Sequence, residues 1–106
     1  MTDDVTWITP NCLASGGTRR GPEAVGEYLA ARETIWTAIE ARPERVIADD
    51  RHVVVTGRYR AVARGSEDAA QIPFVHIWTI HDHRVECHYE LTDTAQLVAL
   101  ANGSQR

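Results

Sequence analysis

His76 is the residue whose surroundings point most directly to proton-transfer chemistry. It lies in an aromatic and β-branched run from Phe74 to Ile80, and an alternating polar and apolar run follows from Arg84 to Leu91. These patterns predict two strands joined by a two-residue turn at Asp82-His83, because Asp and His tolerate positive φ. Histidine titrates near neutral pH, so His76 on the wall of a pocket could act as a general acid or base.

Counting outwards from this turn predicts the faces of the two strands. The predicted cross-strand pairs are Trp78 with Cys87, His76 with Tyr89, and Phe74 with Leu91. Side chains alternate across a sheet, so these six residues share one face, on which Asp93 also falls. The sequence therefore predicts a catalytic group of His76, Asp93 and Tyr89, with Tyr89 orienting His76 or donating to an oxyanion. A register slip of one residue would reverse this face.

Each of these residues also has a purely structural interpretation. His76 can be a buried histidine that is satisfied by Tyr89 or by a main-chain group. Asp93 can be a pocket carboxylate with a raised pKa, or the N-cap of the last helix with Gln96 at the capping-box position, and both can hold at once. Glu90 becomes the alternative pocket carboxylate if the register slips.

A set of large aromatic residues could bind a flat apolar ligand or simply fill the core. The residues are Trp7, Tyr28, Trp36, Phe74 and Trp78. No metal site is expected, because His81 and His83 lie in a turn and His88 is predicted to face the other side of the sheet. No cofactor motif and no catalytic Ser or Cys signature is present, so neither a cofactor nor a nucleophile is predicted.

Length and composition indicate one domain over residues 1–106, and the order of its predicted strands and helices indicates an α+β arrangement. The net charge is −4 and all eleven basic residues are arginine, which disfavours binding to nucleic acid or to an anionic membrane. No apolar run is long enough to cross a membrane and no export signal is evident, which predicts a cytoplasmic protein. In that setting Cys12 and Cys87 are expected to be free thiols.

The remaining elements follow from local patterns. The predicted elements are a strand at residues 5–9, a loop at 11–21, a long helix at 22–41, strands at 45–48 and 52–64, and a short helix after Asp93. Gly57 in the long strand predicts a bulge or bend. The sheet is therefore expected to be curved and antiparallel, with the long helix on its concave face and a pocket between them.

Several segments, in this order and spacing, resemble a SnoaL-like, ketosteroid-isomerase-related protein of the nuclear-transport-factor-two-like superfamily. They are Asp-Asp-Val-Thr-Trp, Gly-Gly-Thr-Arg-Arg-Gly-Pro-Glu-Ala-Val, Val-Val-Val-Thr-Gly-Arg-Tyr, Pro-Phe-Val-His-Ile-Trp and Tyr-Glu-Leu-Thr-Asp-Thr-Ala. The resemblance implies a cone-shaped fold with a deep apolar pocket, commonly dimeric through the outer face of the sheet. It also implies a range of reactions, among them isomerisation, polyketide cyclisation, epoxide hydrolysis and dehydration.

Two departures from that family pattern limit the function that can be transferred. Family members begin with one or two helices that close the pocket, whereas this chain starts almost at the first strand, so the start is truncated, the pocket is more open, or another chain completes it. Steroid isomerases carry their general-base Asp before a Pro on that strand, where this chain has Thr9 before Pro10. Steroid isomerisation by that mechanism is therefore not predicted.

Two functions remain open at this point. One is a metal-free acid/base isomerase, cyclase or lyase that acts on a small apolar carbonyl compound. The other is a non-catalytic ligand-binding or scaffold module of the same fold. In both cases a homodimer is expected.

Overall fold

The protein is a mixed α+β domain built on one curved, six-stranded sheet, which confirms the predicted fold class. The computed structural model describes residues 1–10 and 16–103, and the side chains of residues 1–10 and 16–100. The elements in chain order are β1 (Thr6–Thr9), β2 (Gly17–Arg20), α1 (Pro22–Ala31), β3 (Trp36–Ala48), β4 (His52–Ala63), β5 (Ala70–His81), β6 (Arg84–Thr92) and α2 (Thr94–Gly103). The part of the predicted loop at residues 11–15, including the predicted free thiol of Cys12, lies outside the described residues.

The strands lie in the order β2-β1-β6-β5-β4-β3. All neighbours are antiparallel except β1 and β6, which pair in parallel and make the sheet mixed rather than purely antiparallel. The predicted loop is wrong at its C-terminal end, because residues 17–20 form β2 against β1. Backbone pairing with β1 satisfies this polar segment in a way that local sequence patterns cannot reveal.

The predicted long helix is also wrong in its second half. Helix α1 ends at Ala31, a 3₁₀ turn covers Arg32–Thr34, and the chain then enters β3. The hydroxyl of Thr34 donates to the carbonyl of Ala31 at 2.8 Å and occupies a backbone acceptor at the end of the helix. Pro43 is tolerated within β3 because this strand is at the edge of the sheet.

The β5–β6 hairpin contains a bulge that reverses the predicted faces. The predicted turn is confirmed, since Asp82 and His83 have φ values of 49° and 63°. Ile80 pairs with Val85 as counted, but Thr79 pairs with Cys87, so Glu86 is an additional residue on β6. Beyond this bulge the register is shifted by one residue.

The predicted cross-strand pairs are therefore wrong. Trp78 pairs with His88, His76 with Glu90, and Phe74 with Thr92. The register shift brings His88 and Glu90 to the face that His76 occupies, and it moves Cys87, Tyr89 and Leu91 to the opposite face.

Both helices pack on the face of the sheet that carries His76, here called the helix face; the opposite side is called the open face. Two clusters of buried residues form on the helix face. The cluster under α1 consists of Val5, Trp7, Val25 and Tyr28, with Trp78 and Val85 packed against it. The cluster under α2 consists of Trp36, Ala61, Ala63, Ile72 and Leu97.

Gly57 marks the irregular part of the sheet, as its position in the sequence predicts. It pairs with Pro43, and the β3–β4 register shifts between Pro43 and Arg45. A Cβ atom at Gly57 would overlap the carbonyl oxygen of Arg42 and lie 2.9 Å from the Cα atom of Pro43. The bulged edge strand therefore requires a glycine at this position.

We expect Gly57→Ala to lower the free energy of unfolding by about 1–3 kcal/mol, because the added methyl group displaces the backbone of β3. Gly26→Ala is the matched control, since no atom outside its own helix lies within 4 Å of the added Cβ. That control should raise the free energy of unfolding by up to about 1 kcal/mol through higher helix propensity. Urea unfolding of both variants measures the difference, and equal effects would contradict the proposed steric conflict.

Candidate functional site

Three polar side chains from adjacent strands meet on the helix face. Tyr59 of β4, His76 of β5 and Glu90 of β6 form a closed hydrogen-bonded group. The hydroxyl of Tyr59 lies 2.5 Å from Nε2 of His76, and Nε2 lies 3.2 Å from Oε1 of Glu90. Tyr59 also donates a short hydrogen bond to Oε1 of Glu90. Only 12% of the His76 side chain and 10% of the Glu90 side chain are exposed.

The protonation states of this group follow from the hydrogen bonds. Burial raises the pKa of Glu90, but the hydrogen bonds from His76 and Tyr59 outweigh it and hold that pKa below the ordinary value. Burial and the charge of Glu90 raise the pKa of Tyr59 well above its usual range. At neutral pH the group therefore contains an ionised carboxylate and a neutral phenol.

Aromatic rings surround this polar group. The ring of Phe74 stacks on His76 with a centroid separation of 4.2 Å and lies 4.6 Å from the ring of Tyr59. The imidazole of His88 lies between two indoles, 4.0 Å from Trp7 and 4.1 Å from Trp78 between ring centroids. A low-dielectric wall of this kind strengthens every electrostatic interaction made at its centre.

Helix α1 contributes Tyr28 to the cluster that contains Trp7 and Trp78. Burial and the charge of Glu90 raise the pKa of Tyr28, so its hydroxyl is neutral at physiological pH. The guanidinium of Arg19 on β2 lies 4.9 Å above the ring of Tyr28 in cation–π geometry. The aromatic site is thus bounded by a phenol from the helix as well as by the sheet.

His88 is the most deeply buried titratable group near the site. Only 2% of the residue is exposed, and its buried Nδ1 atom has no hydrogen-bond partner among the residues that the structure describes. Burial and the neighbouring His76 lower the pKa of His88 to about 4. At neutral pH the imidazole is therefore uncharged.

The structure brings together most, but not all, of the residues predicted from the sequence. His76, Phe74, Trp78, Trp7 and Tyr28 lie around the polar group or in the cluster next to it. Trp36 does not, because it begins β3 and packs in the α2 cluster. Tyr89 is not next to His76 either: the bulge turns it to the open face, where 39% of it is exposed.

Asp93 serves as the helix cap that the sequence predicts. Its Oδ1 accepts the backbone N–H of Gln96 at 3.1 Å, and its Oδ2 accepts the side-chain amide of Gln96 at 2.6 Å. These hydrogen bonds lower the pKa of Asp93, which corrects the raised pKa expected for a pocket carboxylate. The predicted N-cap is confirmed, and both carboxylate oxygens are engaged by Gln96 rather than by His76.

The counted register does not predict Tyr59 or His88 as site residues, and it gives Glu90 only as the alternative carboxylate in a slipped register, which is the register that the structure has. The pattern of the long strand indicates no more than an apolar position for Tyr59, and the counted register puts His88 on the opposite face. The prediction that no three metal-binding side chains converge is also wrong, because donor atoms of His76, His88 and Glu90 all lie within 4.8 Å of one another. One feature of the sequence does indicate this group. His88 and Glu90 are two residues apart on one strand and so share a face, and a register slip of one residue puts that face on the same side as His76.

Similar proteins identify the family of this chain. A family model described as a SnoaL-like domain matches residues 1–88. The chain belongs to the SnoaL-like family. No curated protein matches this SnoaL-like chain. Among the described residues of this SnoaL-like protein, no helix is long and apolar enough to cross a membrane.

Solved structures that resemble this SnoaL-like protein share its fold. One is TerC co-crystallised with polyporic acid, with a TM-score of 0.90, 28% identity, and coverage of 96% of this chain and 80% of TerC. A second is an NTF2-like protein of unknown function from Burkholderia pseudomallei K96243, with a TM-score of 0.89, 26% identity, and coverage of 95% and 79%. A third, named as a SnoaL-like polyketide cyclase from Jannaschia sp. CCS1, has a TM-score of 0.81, 20% identity, and coverage of 95% and 72%.

The buried, neutral His88 makes the stability of the fold sensitive to acid. An unfolded chain protonates its histidines below a pH of about 6.5, whereas folded His88 stays neutral down to a pH of about 4. The unfolded state therefore binds more protons in this window, and the contribution of His88 to stability is lost as the pH falls through it. We expect this residue to cost on the order of 2 kcal/mol of unfolding free energy between pH 7 and pH 4.

The measurement is chemical unfolding of the wild type and of His88→Phe from pH 7 to pH 4. Phenylalanine keeps a ring between Trp7 and Trp78 but cannot take up a proton. The wild type should lose stability relative to the variant as the pH falls. A stability difference that stays constant over this range would contradict the assignment of a neutral, buried His88.

Proposed function

We propose that this SnoaL-like protein is a proton-transfer enzyme that acts on a small, flat, apolar carbonyl compound bound on the helix face. The observation that carries the proposal is the Tyr59–His76–Glu90 group, in which an ionised carboxylate is held by two hydrogen-bonding partners inside an aromatic wall. The reaction class is isomerisation or ring closure through an enolate.

The geometry of Glu90 suits the role of general base. Its Oε1 accepts from Tyr59 and interacts with Nε2 of His76, whereas its Oε2 makes no hydrogen bond to any residue that the structure describes. One oxygen therefore positions the carboxylate and the other can receive a proton. Because a general base needs both a defined position and a free lone pair, Glu90 meets the requirement better than Asp93, whose two oxygens are engaged by Gln96.

The proposed step is balanced without an added reagent. A C–H bond next to the substrate carbonyl breaks, its proton goes to Oε2 of Glu90, and its electron pair forms the C=C bond of an enolate. The neutral hydroxyl of Tyr28 is the donor we assign to the enolate oxygen, since an oxyanion is stabilised by a positioned donor in a dry site. Return of the proton to another carbon completes an isomerisation. Alternatively, the enolate carbon attacks a second carbonyl, the new C–C bond closes a ring, and the resulting alkoxide takes the proton from Glu90.

Five of the residues predicted from the sequence belong to the proposed site. His76 remains in it as the partner that positions Glu90, and four aromatic side chains remain as the ligand-binding wall: Trp7, Tyr28, Phe74 and Trp78. Tyr59 and Glu90 take the places that the counted register assigned to Tyr89 and Asp93. A flat aromatic ligand is supported by this wall and by the similarity to TerC, whose structure contains polyporic acid.

We expect the protein to accelerate exchange of the activated C–H protons of 2-tetralone, an aryl-fused cyclic ketone, for deuterium from D₂O. Glu90→Gln should lower this rate by about 10²-fold or more, because the amide cannot accept the proton. Tyr28→Phe should also lower it, through loss of the oxyanion donor. Proton NMR of the ketone measures the exchange directly.

Glu86→Gln is the matched control, because Glu86 lies on the same strand but pairs with Arg51 at 3.6 Å at a partly exposed site. The Glu86→Gln variant should catalyse deuterium exchange of 2-tetralone at the rate of the wild type. Equal rates for Glu90→Gln and the wild type would contradict the assigned base. If no exchange is accelerated while polyporic acid quenches tryptophan fluorescence, the protein is instead a ligand-binding module of this fold.

We also infer that two copies pair through the open face of the sheet. An apolar row crosses this face from strand to strand through Ile47, Val54, Ile77, Tyr89 and Ile8. Several large side chains on this face are exposed, among them Ile47 at 59% and Leu91 at 48%. A row of this kind supports a self-complementary interface, the arrangement that is commonest in homodimers.

We expect Ile77→Arg and Leu91→Arg to shift the protein from dimer to monomer, because Ile77 lies in the apolar row and Leu91 is an exposed apolar residue on the same face. Leu29→Arg on α1 is the control, since Leu29 is 36% exposed and lies outside the row. Light scattering coupled to size-exclusion chromatography measures the molar mass. A monomeric wild type, or loss of the dimer in the Leu29 variant alone, would contradict this interface.

A further inference from the structure

His88 has no part in the proton transfer proposed above, yet its burial demands an explanation. The ring packs against Trp7 and Trp78. Only 2% of the residue is exposed, and no described part of the chain offers a hydrogen-bond partner to its Nδ1 atom. A buried polar atom without a partner is unfavourable, so native proteins seldom retain one without a reason. A missing electrophilic partner for the imidazole is one such reason.

The surroundings of His88 are those of a metal ligand. One donor atom each from His76, His88 and Glu90 lies within 4.8 Å of the others, and Nε2 of His76 is 3.2 Å from Oε1 of Glu90. Donors that bind one tetrahedral ion at about 2.1 Å are separated by roughly 3.4 Å. The His76–Glu90 pair already has about this spacing, and a ring nitrogen of His88 lies within 4.8 Å of both donors.

We propose that His76, His88 and Glu90 form a binding site for a divalent transition-metal ion of the Zn²⁺ or Fe²⁺ class. Two imidazole nitrogens and one carboxylate oxygen are the donor set that such ions prefer, whereas Mg²⁺ and Ca²⁺ prefer oxygen donors alone. Three protein ligands leave at least one coordination position for water or a small ligand. The aromatic wall would enclose that position.

The strands that supply the donors favour a preformed site. His88 and Glu90 are two residues apart on β6 and therefore point to the same face, while His76 lies directly opposite Glu90 on β5. Tyr59 is placed as an outer-shell partner, because its hydroxyl donates to the same carboxylate oxygen. Outer-shell hydrogen bonds of this kind orient a metal ligand and typically change affinity by about 10- to 100-fold.

An ion held by His76, His88 and Glu90 would neutralise the carboxylate that acts as the base, so the metal-bound protein would be inactive in the proton transfer proposed above and the metal-free protein would be its active form. The metal site can nevertheless be tested without turnover. The protein is freed of metal with a chelator and titrated with Co²⁺, with Zn²⁺ as a competitor. The visible ligand-field bands of Co²⁺ and calorimetry report the donor set and the stoichiometry.

We expect one Co²⁺ per chain, displaced by Zn²⁺, with visible bands typical of low coordination number. His88→Phe and Glu90→Gln should each weaken binding at least about 100-fold, while Tyr59→Phe weakens it by about 10- to 100-fold. Zn²⁺ should also raise the thermal midpoint of the wild type but not that of His88→Phe. Circular dichroism establishes that each variant is folded, and Glu90→Gln serves if His88→Phe is not.

The matched controls remove other metal-binding side chains. His81→Gln combined with His83→Gln alters two exposed histidines of the β5–β6 turn, and Cys12→Ser with Cys87→Ser removes both thiols. All of these variants should bind Co²⁺ like the wild type. Three outcomes would each overturn the proposal. The first is a Co²⁺ affinity of the wild type weaker than millimolar, and the second is unchanged Co²⁺ binding by folded His88→Phe and Glu90→Gln. The third is loss of Co²⁺ binding in the turn variant or the thiol variant.

Discussion

A single additional residue in β6 determines the chemistry of the helix face. The tight turn at Asp82-His83 sets a simple hairpin register, and the bulge at Glu86 then shifts the pairing by one residue. Because side chains alternate along a strand, this shift exchanges the two faces of everything that follows. Without it, Tyr89 and Leu91 would be on the helix face, and His88 and Glu90 would be on the open face.

The bulge has a cost that the rest of the site must offset. It brings one carboxylate and one imidazole into an aromatic environment, where an uncompensated charge is strongly unfavourable. Tyr59 and His76 stabilise the charge of Glu90 by hydrogen bonds, and His88 avoids the cost by remaining neutral between Trp7 and Trp78. Within the described residues, the Nδ1 atom of His88 is left without a hydrogen-bond partner, which the metal site proposed above would account for.

The two faces of the sheet differ in what covers them. The helix face carries the two buried clusters and the polar group, while the open face presents an apolar row that neither α1 nor α2 covers. Bulges on β3 and β6 allow one sheet to serve both surfaces, since each bulge changes the direction of a strand without breaking its pairing. Fold membership alone does not define the reaction, because the chemistry resides in the side chains that the register selects.

Local sequence determined much of this protein. The turn at Asp82-His83, the start of α1 at Pro22, the cap at Asp93 and the glycine of the bulged strand were all readable, because each depends on backbone conformations that few residue types favour. Local sequence could not predict three features: the end of α1, the pairing of β2 and the register beyond Glu86. Each depends on hydrogen bonds or packing between segments of the fold rather than on the conformational preference of single residues. The aromatic wall around His76 was therefore set by residue type, whereas the tertiary structure decided that Glu90 and Tyr59, rather than Tyr89 and Asp93, stand beside it.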